Sequence, residues 1–344
     1  MSFDVDRWSE PWMARALQSL DGDVPLLAGM VRFHLGDAAA DLTPIPAGAV
    51  DKGKRMRPAV AVLSAGAAGG DPSIAAPLAA SLELLHNFTL IHDDVQDQSP
   101  TRRHRETVWH IWGVGQAINA GDALFAASHM PLYELPSLGV SPELAIHLVR
   151  DFDAMTIAIV AGQTLDLGFE GRNDVAPSDY LQMISGKTAA IVKFAAEAGA
   201  RLGGAGGEQA AHFAAFGLAL GLGFQVQDDL LGIWGSTAQT GKAPADDIRR
   251  RKQSLPILML RESATSRERD ELSAIFAQEE VDPHGIARVL ALLDHYDIQA
   301  MVESHVRQYH DEARSHLLAA SAPGDNPYRD ALLNLVDRLS DRQG

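Results

Sequence analysis

Apolar residues recur three and four positions apart along most of the chain, a spacing that predicts amphipathic helices. In one stretch Leu82, Leu85, Phe88, Thr89 and His92 would share a single helix surface. Alternating β-branched runs, which half-buried strands require, are short and rare. Glycine and proline residues separate segments of about 15–30 residues, each long enough for several helical turns. The pattern therefore predicts an all-α bundle of about ten or more helices in one domain over residues 1–344.

The stretch from Gln209 to Gln227 carries no formal charge and has about the length of a membrane-spanning helix. It contains His212, and it runs directly into Asp228 and Asp229. Because burying such polar groups in lipid is costly, we interpret the stretch as a buried core helix and expect no integral membrane association.

The composition excludes several classes of protein. Asp and Glu number 45 against 29 Lys and Arg, for a net charge of −16, whereas a nucleic-acid surface needs a dense basic stripe. The chain has no cysteine, which excludes disulfides, zinc–thiolate sites and cysteine nucleophiles. No secretory signal is visible after Met1, so we expect a cytoplasmic enzyme.

Three aspartates end an apolar segment in LIHDDVQD, namely Asp93, Asp94 and Asp97. On a helix Asp93 and Asp97 form an i,i+4 pair on one face, where two like charges destabilise an isolated helix. A solvated acidic helix end is one interpretation of this pattern. The other is a carboxylate pair for Mg²⁺, which prefers one or two carboxylates together with phosphate oxygens and water.

A second acidic cluster, Asp228 and Asp229 in GFQVQDDLLG, follows about 130 residues later and again closes an uncharged segment. Two such clusters suggest two carboxylate walls that face each other across one pocket. Between them, about two to three Mg²⁺ ions could clamp a diphosphate.

Basic residues stand beside the chain breaks and the acidic segments. They are Lys54, Arg55 and Arg57 in GKRMRP, the pair Arg102 and Arg103, and Lys187, Lys242 and Lys252 further on. Arginine binds phosphate oxygens bidentately, and lysine supplies a point charge. Each residue alone is typical of a solvated surface, but their joint placement favours diphosphate binding.

Seven motifs occur in order: GKRMRP, ELLHNFTLIHDDVQD, RRHRETVW, NAGDALF, GQTLDL, GKTA and FQVQDD, with GK and RRRKQSLP downstream. The series resembles the trans-isoprenyl diphosphate synthase (polyprenyl synthetase) family, in particular its short-chain geranylgeranyl and farnesyl diphosphate synthases. The motif-bearing core covers about residues 50–260. The resemblance implies an isoprenoid synthase fold, a single-domain orthogonal helical bundle around a central cavity. It also implies a Mg²⁺-dependent, homodimeric prenyltransferase that joins isopentenyl diphosphate to an allylic diphosphate.

The resemblance also implies a role for each matching residue. The metal ligands would be Asp93, Asp97 and Asp228, and together with the supporting Asp94 and with Lys187 they would form the catalytic set. The isopentenyl diphosphate site would comprise Lys54, Arg57, His86 and Arg103. The allylic diphosphate site would comprise Arg102, Gln163, Asp166, Lys187, Thr188, Gln225, Lys242 and Lys252. For His86 a core histidine that donates to a carbonyl is the alternative.

Three positions depart from the family pattern. Gly232 stands where many members have a third aspartate, so a metal-supporting carboxylate is missing from the second motif. Arg251 replaces the usual glycine before Lys252, and His104 replaces a small residue after the arginine pair. We still expect an active enzyme.

The length of the product depends on the residues just before the first acidic motif, which form the floor of the pocket in this family. Thr89 lies one helical turn beneath Asp93, and Phe88 lies roughly 7–8 Å below it along the helix axis. A bulky ring beside a small neighbour, with no insertion in the motif, favours geranylgeranyl diphosphate (C20). Farnesyl diphosphate (C15) is the alternative.

Two other functions share the aspartate-rich helices. A terpene cyclase or head-to-head condensing enzyme has no use for an isopentenyl diphosphate site, so GKRMRP counts against it. A non-catalytic subunit could lose Asp93, Asp97, Asp228 and Lys187, yet the chain keeps them.

Overall fold

The structure is a computed structural model that describes residues 5–46, 48–50, 53, 55–236, 244–321 and 324–340. Lys54 and Lys242, two of the expected site residues, lie outside the described residues. The described part is mostly helical, and the all-α prediction is confirmed. The chain divides into two compact units: unit 1 contains Met1–Asp151 and Ala195–Gly206, and unit 2 contains Phe152–Phe194 and Gly207–Gly344. The single domain expected over residues 1–344 stays a prediction.

Unit 1 contains the helices that end in the first acidic motif and those that pack around it. They are α1 (Asp6–Leu17), α2 (Pro25–His34), α3 (Met56–Ala67), α4 (Ala76–Gln96), α5 (Val108–Trp112), α6 (Val114–His129) and the first part of α7 (Pro142–Phe169). Short 3₁₀ turns span Gln18–Leu20, Pro72–Ala75 and Met130–Leu138. Strands β1 (Thr101–Arg102) and β2 (Arg105–Glu106) form an antiparallel hairpin that the sequence pattern did not predict.

Unit 2 is built around one long helix that carries the second acidic motif. Its elements after α7 are α8 (Pro177–Ile184), a π-helical turn (Ser185–Ala189), α9 (Ala190–Leu202, which ends in unit 1), α10 (Gly207–Trp234), α11 (Asp246–Arg249), α12 (Leu255–Ser263), α13 (Ser266–Phe276), α14 (Pro283–His295), α15 (Ile298–Ala320) and α16 (Pro327–Ser340).

The core of unit 1 fixes the end of α4. Leu84 and Ile91 of α4 are buried against Leu124 of α6 and apolar residues of α1 and α2. Each large apolar side chain buried in this way contributes about 1.5–3 kcal/mol. The acidic end of α4 is therefore held by the packing of the apolar turns before it.

The core of unit 2 brings α10 and α15 together along most of their length. A Cβ atom on Gly217 would lie 2.5 Å from the carbonyl oxygen of Val192, so α9 and α10 can pack this closely because residue 217 has no side chain. Val226 and Leu230 of α10 pack with Val302 and Val306 of α15. This packing fixes the segment that carries Asp228 and Asp229.

Two helical stretches, Pro72–Gln96 and Gly207–Trp234, are long and apolar enough to cross a membrane by length and composition. In their most apolar windows 72% and 56% of the residues are buried within the protein, and buried core helices meet the same criterion. The second stretch contains the uncharged segment that the sequence predicted to be a core helix.

Candidate active site

The first acidic motif forms the C-terminal turn of α4. Asp97 is the C-cap residue, and its backbone N–H donates to the carbonyl oxygen of Asp93 at 2.8 Å. Carboxylates at a helix C-terminus face the negative end of the helix dipole, which is unfavourable without a cation. Asp93 is half-buried and Asp97 is exposed, so the predicted i,i+4 pair lies at the surface of unit 1. This pair has the oxygen donors that a hard divalent cation prefers.

Asp94 has a different environment from its neighbours. Its side chain is 2% exposed and accepts a hydrogen bond from Nε of Arg102 at 2.8 Å. Burial raises the pKa of Asp94, and Arg102 opposes that rise. Asp94 therefore anchors Arg102 beneath the first motif.

The hairpin between β1 and β2 presents Arg103 at its tip. Arg102 pairs with Arg105, so Arg103 and His104 are the only two loop residues, and their φ angles are +50° and +61°. Both central residues of a type I′ turn need positive φ, which favours glycine and asparagine. This explains the small residue that the family pattern has at position 104, because each left-handed non-glycine residue costs about 1–2 kcal/mol.

Arg103 lies against the GKRMRP segment. A Cβ atom on Gly53, whose φ is +84°, would lie 2.6 Å from an Nη atom of Arg103, so the guanidinium packs directly on the glycine backbone. The structure thus brings together two of the motifs assigned to isopentenyl diphosphate.

His86 lies among the arginines of these motifs. Burial lowers its pKa well below the usual value, and the charges of Arg57, Arg103 and Arg102 lower it further. The imidazole is therefore neutral in a strongly positive environment. A group of cations around a neutral histidine provides the hydrogen-bond donors and the charge that a diphosphate requires.

His34, at the end of α2, is a member of the same cluster that sequence reasoning missed. Burial, together with Arg102 and Arg103, lowers its pKa to about 3. Its side chain lines a small cavity with Arg102, Arg103 and Arg105. The sequence gave no indication that His34 belongs to this cluster, because it lies in a segment without any of the motifs.

Arg55, the middle basic residue of GKRMRP, has a structural role. Its Nε atom lies 3.4 Å from Asp6 and 3.7 Å from Glu83, and an Nη atom lies 3.7 Å from Glu10. Its side chain is 9% exposed. These three carboxylates hold the GKRMRP segment in place through Arg55. Arg57 of the same motif lies near His86 instead.

The expected pocket floor is aromatic. The ring of Phe88 lies 5.3 Å from that of Phe125 in α6 and 4.8 Å from that of His92. Phe125 in turn packs edge-on against His129. Thr89 donates a hydrogen bond to the carbonyl oxygen of His86, so its hydroxyl is satisfied within the helix. The second ring, Phe125, belongs to NAGDALF, to which the sequence reasoning assigned no role.

In unit 2, Lys187 lies in the π-helical turn between α8 and α9. Such turns are rare and are often found at functional sites. A Cβ atom on Gly162 would lie 2.3 Å from the backbone nitrogen of Lys187, so the glycine of GQTLDL allows this turn to contact α7. Lys187 donates to Asp166, and both side chains are about one-third exposed. Gln163 precedes Asp166 on α7 and is half-buried.

The two aspartates of the second motif also differ in environment. Asp229 is completely buried and accepts hydrogen bonds from four donors: the Tyr180 hydroxyl, Gln225 Nε2 (3.3 Å), Lys252 Nζ (3.2 Å) and the Leu255 backbone N–H (3.1 Å). Thr188 donates to Gln225 at 2.9 Å and extends this network. Asp228 is only half-buried, so Asp229 is the structural member of the pair.

Lys252 links Asp229 to a further carboxylate. Its Nζ atom lies 3.2 Å from Asp229 and 3.9 Å from Asp247. Burial lowers its pKa, but the two carboxylates outweigh burial and raise it overall, so the lysine stays protonated. The preceding Arg251 has φ +57°, which explains the glycine usual at that position, and it donates to the carbonyl oxygen of Gln278 at 2.8 Å.

The space above Gly232, where many family members have a third aspartate, is filled by another side chain. A Cβ atom there would lie 2.5–2.7 Å from the carboxylate atoms of Asp247, so this carboxylate occupies the space of the missing side chain. Sequence reasoning missed Asp247, because its relation to Gly232 arises only when α11 folds back onto the end of α10.

These contacts define a mostly helical protein with carboxylates and cations suited to diphosphate chemistry. The polyprenyl synthetase profile matches residues 43–293, so the chain belongs to the polyprenyl synthetase family. The resemblance inferred from the motifs is confirmed.

The chain is 42% identical to the (2E,6E)-farnesyl diphosphate synthase of Mycobacterium tuberculosis over 233 residues, which cover 68% of this chain and 63% of the relative. It is 40% identical to the geranylgeranyl diphosphate synthase of the same organism over 267 residues, with coverages of 77% and 73%. The matched segment thus spans less than two thirds of the farnesyl diphosphate synthase. A solved polyprenyl synthetase from Streptomyces coelicolor has a TM-score of 0.86 and 33% identity, and covers 97% of each chain.

Proposed function

We propose that this protein condenses isopentenyl diphosphate head to tail with allylic diphosphates, with geranylgeranyl diphosphate (C20) as its main product. The relatives support a short-chain isoprenyl diphosphate synthase and include both C15 and C20 enzymes. Farnesyl diphosphate (C15) is the alternative product.

The observation that carries this proposal is the cluster of Arg57 and Arg103 around His86, apart from Arg102, which is held by Asp94. It provides cationic donors next to the first acidic motif yet distinct from its carboxylates. A terpene cyclase binds one diphosphate substrate, whereas a synthase must bind a second diphosphate without metal-binding carboxylates. The cluster therefore favours a synthase over a cyclase.

Members of this family use divalent metal ions, and the carboxylates fit Mg²⁺. Asp93 and Asp97 form one pair, half-buried and exposed respectively, and Asp228 is the half-buried aspartate of the second motif, while Asp94 and Asp229 are buried against their partners. We infer that Asp93, Asp97 and Asp228 hold two to three Mg²⁺ ions per active site, the number suggested by the resemblance. When bound, the ions would neutralise charge on the allylic diphosphate.

The side chains of this chain then have defined tasks. Lys187, Lys252 and Arg102 would bind the allylic diphosphate and stabilise the negative charge that develops as its C–O bond breaks. Arg57, His86 and Arg103 would hold isopentenyl diphosphate so that its double bond attacks the allylic carbon. The departing diphosphate would accept the proton that is then lost. Because water would capture the carbocation, the apolar surface around Phe88 must exclude it.

The contact between Phe88 and Phe125 supports a short product. Two aromatic rings, 5.3 Å apart between centroids, form a floor that a growing chain cannot pass without displacing one of them. Phe88→Ala should therefore extend the product to C25 or longer, which chromatography of the dephosphorylated alcohols would detect. An unchanged product length would place the floor elsewhere.

A homodimer is the proposed assembly. On α7 the side chains of Ile146, Ile157 and Val160 are 68%, 69% and 52% exposed, and on α6 Ile118 is 42% exposed. Exposed apolar residues in such numbers are typical of interfaces. The cytoplasmic location expected from the sequence stays a prediction.

The proposed function is tested by the isopentenyl diphosphate site. Arg57→Ala and His86→Ala should raise KM for isopentenyl diphosphate at least about tenfold, with a much smaller effect on KM for the allylic substrate. Arg150→Ala, at an arginine paired with its neighbour Asp151, is the matched control. The proposal is contradicted if both variants keep the wild-type turnover and the wild-type dependence on isopentenyl diphosphate. A cyclised hydrocarbon made without isopentenyl diphosphate would favour a cyclase.

A further inference from the structure

We propose that Arg105 is a positioning residue for isopentenyl diphosphate, because it fixes the β1–β2 hairpin to the end of α2 and thereby holds Arg103 at the diphosphate site. The proposal rests on the proposed function, in which Arg103 binds that substrate. It is drawn from three features of unit 1: the backbone of the hairpin, the acceptors of the Arg105 guanidinium, and the separate anchor of Arg102.

The β1–β2 hairpin needs contacts outside itself. Each strand has two residues, and an isolated two-stranded hairpin is marginally stable in water. The loop residues Arg103 and His104 have φ angles of +50° and +61°, a conformation that is unfavourable for residues other than glycine. Arg102 and Arg105 face each other across the two strands, where like charges repel. The rest of unit 1 must therefore hold the hairpin in this shape.

Arg105 contacts the residues that end α2. Its Nη1 atom donates to the carbonyl oxygen of Phe33 at 3.0 Å, and its Nη2 atom donates to that of Ala38 at 2.8 Å. The guanidinium carbon lies 4.3 Å from the centroid of the Phe33 ring, within the range of a cation–π interaction. Phe33 and Ala38 are both buried, so the acceptors are themselves fixed. Because a helix C-terminus favours a positive charge, both the planar fork and the charge of arginine suit this place.

Arg102 has an anchor of its own. Its Nε atom donates to the buried carboxylate of Asp94 at 2.8 Å, so α4 holds this end of the hairpin. The base of the hairpin is closed separately by Thr107, whose backbone N–H donates to the carbonyl oxygen of Pro100 at 3.1 Å. Arg102 should therefore stay in place when the contacts of Arg105 are lost.

Arg103 depends on Arg105 more directly. It lies two residues before Arg105, at the tip of the hairpin, where its guanidinium packs on Gly53 of the GKRMRP segment. A small displacement of a group that holds a substrate can have a large effect on the reaction. Loss of the Arg105 contacts should therefore impair the binding of isopentenyl diphosphate and leave that of the allylic diphosphate nearly intact.

The first test measures steady-state kinetics of full-length variants at a temperature well below the Tm of each. Arg105→Ala should raise KM for isopentenyl diphosphate about tenfold, with kcat and KM for the allylic substrate changed by less than about twofold. Arg105→Lys keeps the charge but cannot donate to both carbonyls in the same way, so it should show most of this defect. Arg269→Ala is the matched control, because Arg269 of unit 2 also donates to a backbone carbonyl, and it should behave as the wild type.

A double-variant comparison shows whether Arg105 acts through Arg103. If it does, Arg105→Ala should add little to the rise in KM for isopentenyl diphosphate that Arg103→Ala causes, because the group that Arg105 positions is already missing. Two independent contributions would multiply instead.

The role of Arg105 would be overturned by a wild-type KM for isopentenyl diphosphate in Arg105→Ala, by full rescue in Arg105→Lys, by equal rises in both KM values, or by effects that multiply with Arg103→Ala. The proposed function fails separately, because a wild-type protein that elongates no primer would contradict the synthase. In that case calorimetric titration with isopentenyl diphosphate still tests Arg105, since Arg105→Ala should bind it about tenfold more weakly than the wild type.

Discussion

The two acidic motifs share a pattern of one buried and one more accessible aspartate, but they differ in which elements supply the neighbouring carboxylate. In each, one aspartate is buried as an anchor, Asp94 or Asp229, and a neighbour stays accessible, Asp93 or Asp228. The first motif takes its remaining carboxylate, Asp97, from the same helix. The second has Gly232 at the corresponding place, and the carboxylate of Asp247, fifteen positions further on and on another element, packs over it.

The anchors also differ in strength. Among the described residues the Asp94 carboxylate accepts a hydrogen bond from the half-buried Arg102 alone, whereas Asp229 accepts from Tyr180, Gln225, Lys252 and a backbone N–H. The first motif is defined by spacing along one helix, and the second by a network that joins several helices. Spacing along the sequence is therefore sufficient to predict the residues of the first motif. For the second motif it predicts Asp228 and Asp229 but not the network around Asp229.

The largest expected effect follows from this difference in anchoring. Asp229→Ala leaves the buried Tyr180 hydroxyl and the buried Leu255 N–H without their acceptor and removes a carboxylate that pairs with Lys252, so it should lower the free energy of unfolding by about 3–5 kcal/mol. Asp94→Ala should cost about 1–3 kcal/mol, because it removes one charge-assisted hydrogen bond. Chemical denaturation of both variants measures the contrast, and equal losses would contradict it.

The accessible aspartates should instead affect catalysis. Asp93→Asn and Asp228→Asn should each lower kcat by about 10²–10³-fold, because each removes charge that stabilises the departing diphosphate through the bound cation. The Tm should change little. Glu143→Gln, at an exposed position in the first turn of α7, is the control. A loss of stability in place of activity would reverse the roles given to the accessible and buried aspartates.

The free energy of unfolding should decrease as the pH is lowered, because of the buried histidines of unit 1. The folded-state pKa of His34 is about 3 and that of His86 is also lowered, so below about pH 6.5 the unfolded chain binds protons that the folded chain does not. Each histidine then costs up to about 1.4 kcal/mol per pH unit. Thermal unfolding between pH 7.5 and 5.5 should show this loss.

The variant His34→Gln should reduce that slope, whereas His284→Gln, an exposed position in unit 2, should not. Asp94, whose pKa is raised, works in the opposite direction at lower pH, so the measurement is confined to this window. An identical slope for wild type and His34→Gln would contradict the neutral burial of His34.

The all-α fold class and most of the motif residues could be predicted from the sequence, because they follow from helical periodicity and local spacing. Asp93, Asp97 and Arg102 lie within ten positions of one another, so their relation is local. The contacts of Asp247, His34 and Phe125 could not be predicted, because they depend on which helices pack together. Arg55 shows the converse, since its place in a basic motif hid its three carboxylate partners.

The departures at positions 104 and 251 have a common cause in the backbone. His104 and Arg251 both adopt positive φ, where glycine is unstrained. The sequence alone does not give these backbone angles, so it does not explain why the family has a small residue at the first position and glycine at the second.

The smallest expected effects concern these two positions. His104→Gly should raise the free energy of unfolding by about 0.5–1 kcal/mol, because it relieves the left-handed conformation at the tip of the hairpin. Arg251→Gly should gain less, because it also loses the hydrogen bond to the carbonyl oxygen of Gln278. Thermal unfolding of both variants tests this order, and a lower Tm for His104→Gly would contradict it.

The most direct test of the proposed function is an elongation assay on the purified protein. It would be incubated with Mg²⁺, isopentenyl diphosphate and, in separate reactions, C5, C10 and C15 allylic diphosphates, and the dephosphorylated products would be separated by length. A dominant C20 alcohol from all three primers is the predicted result. No elongation of any primer would contradict the synthase, and products of C30 or longer would contradict the aromatic floor at Phe88 and Phe125.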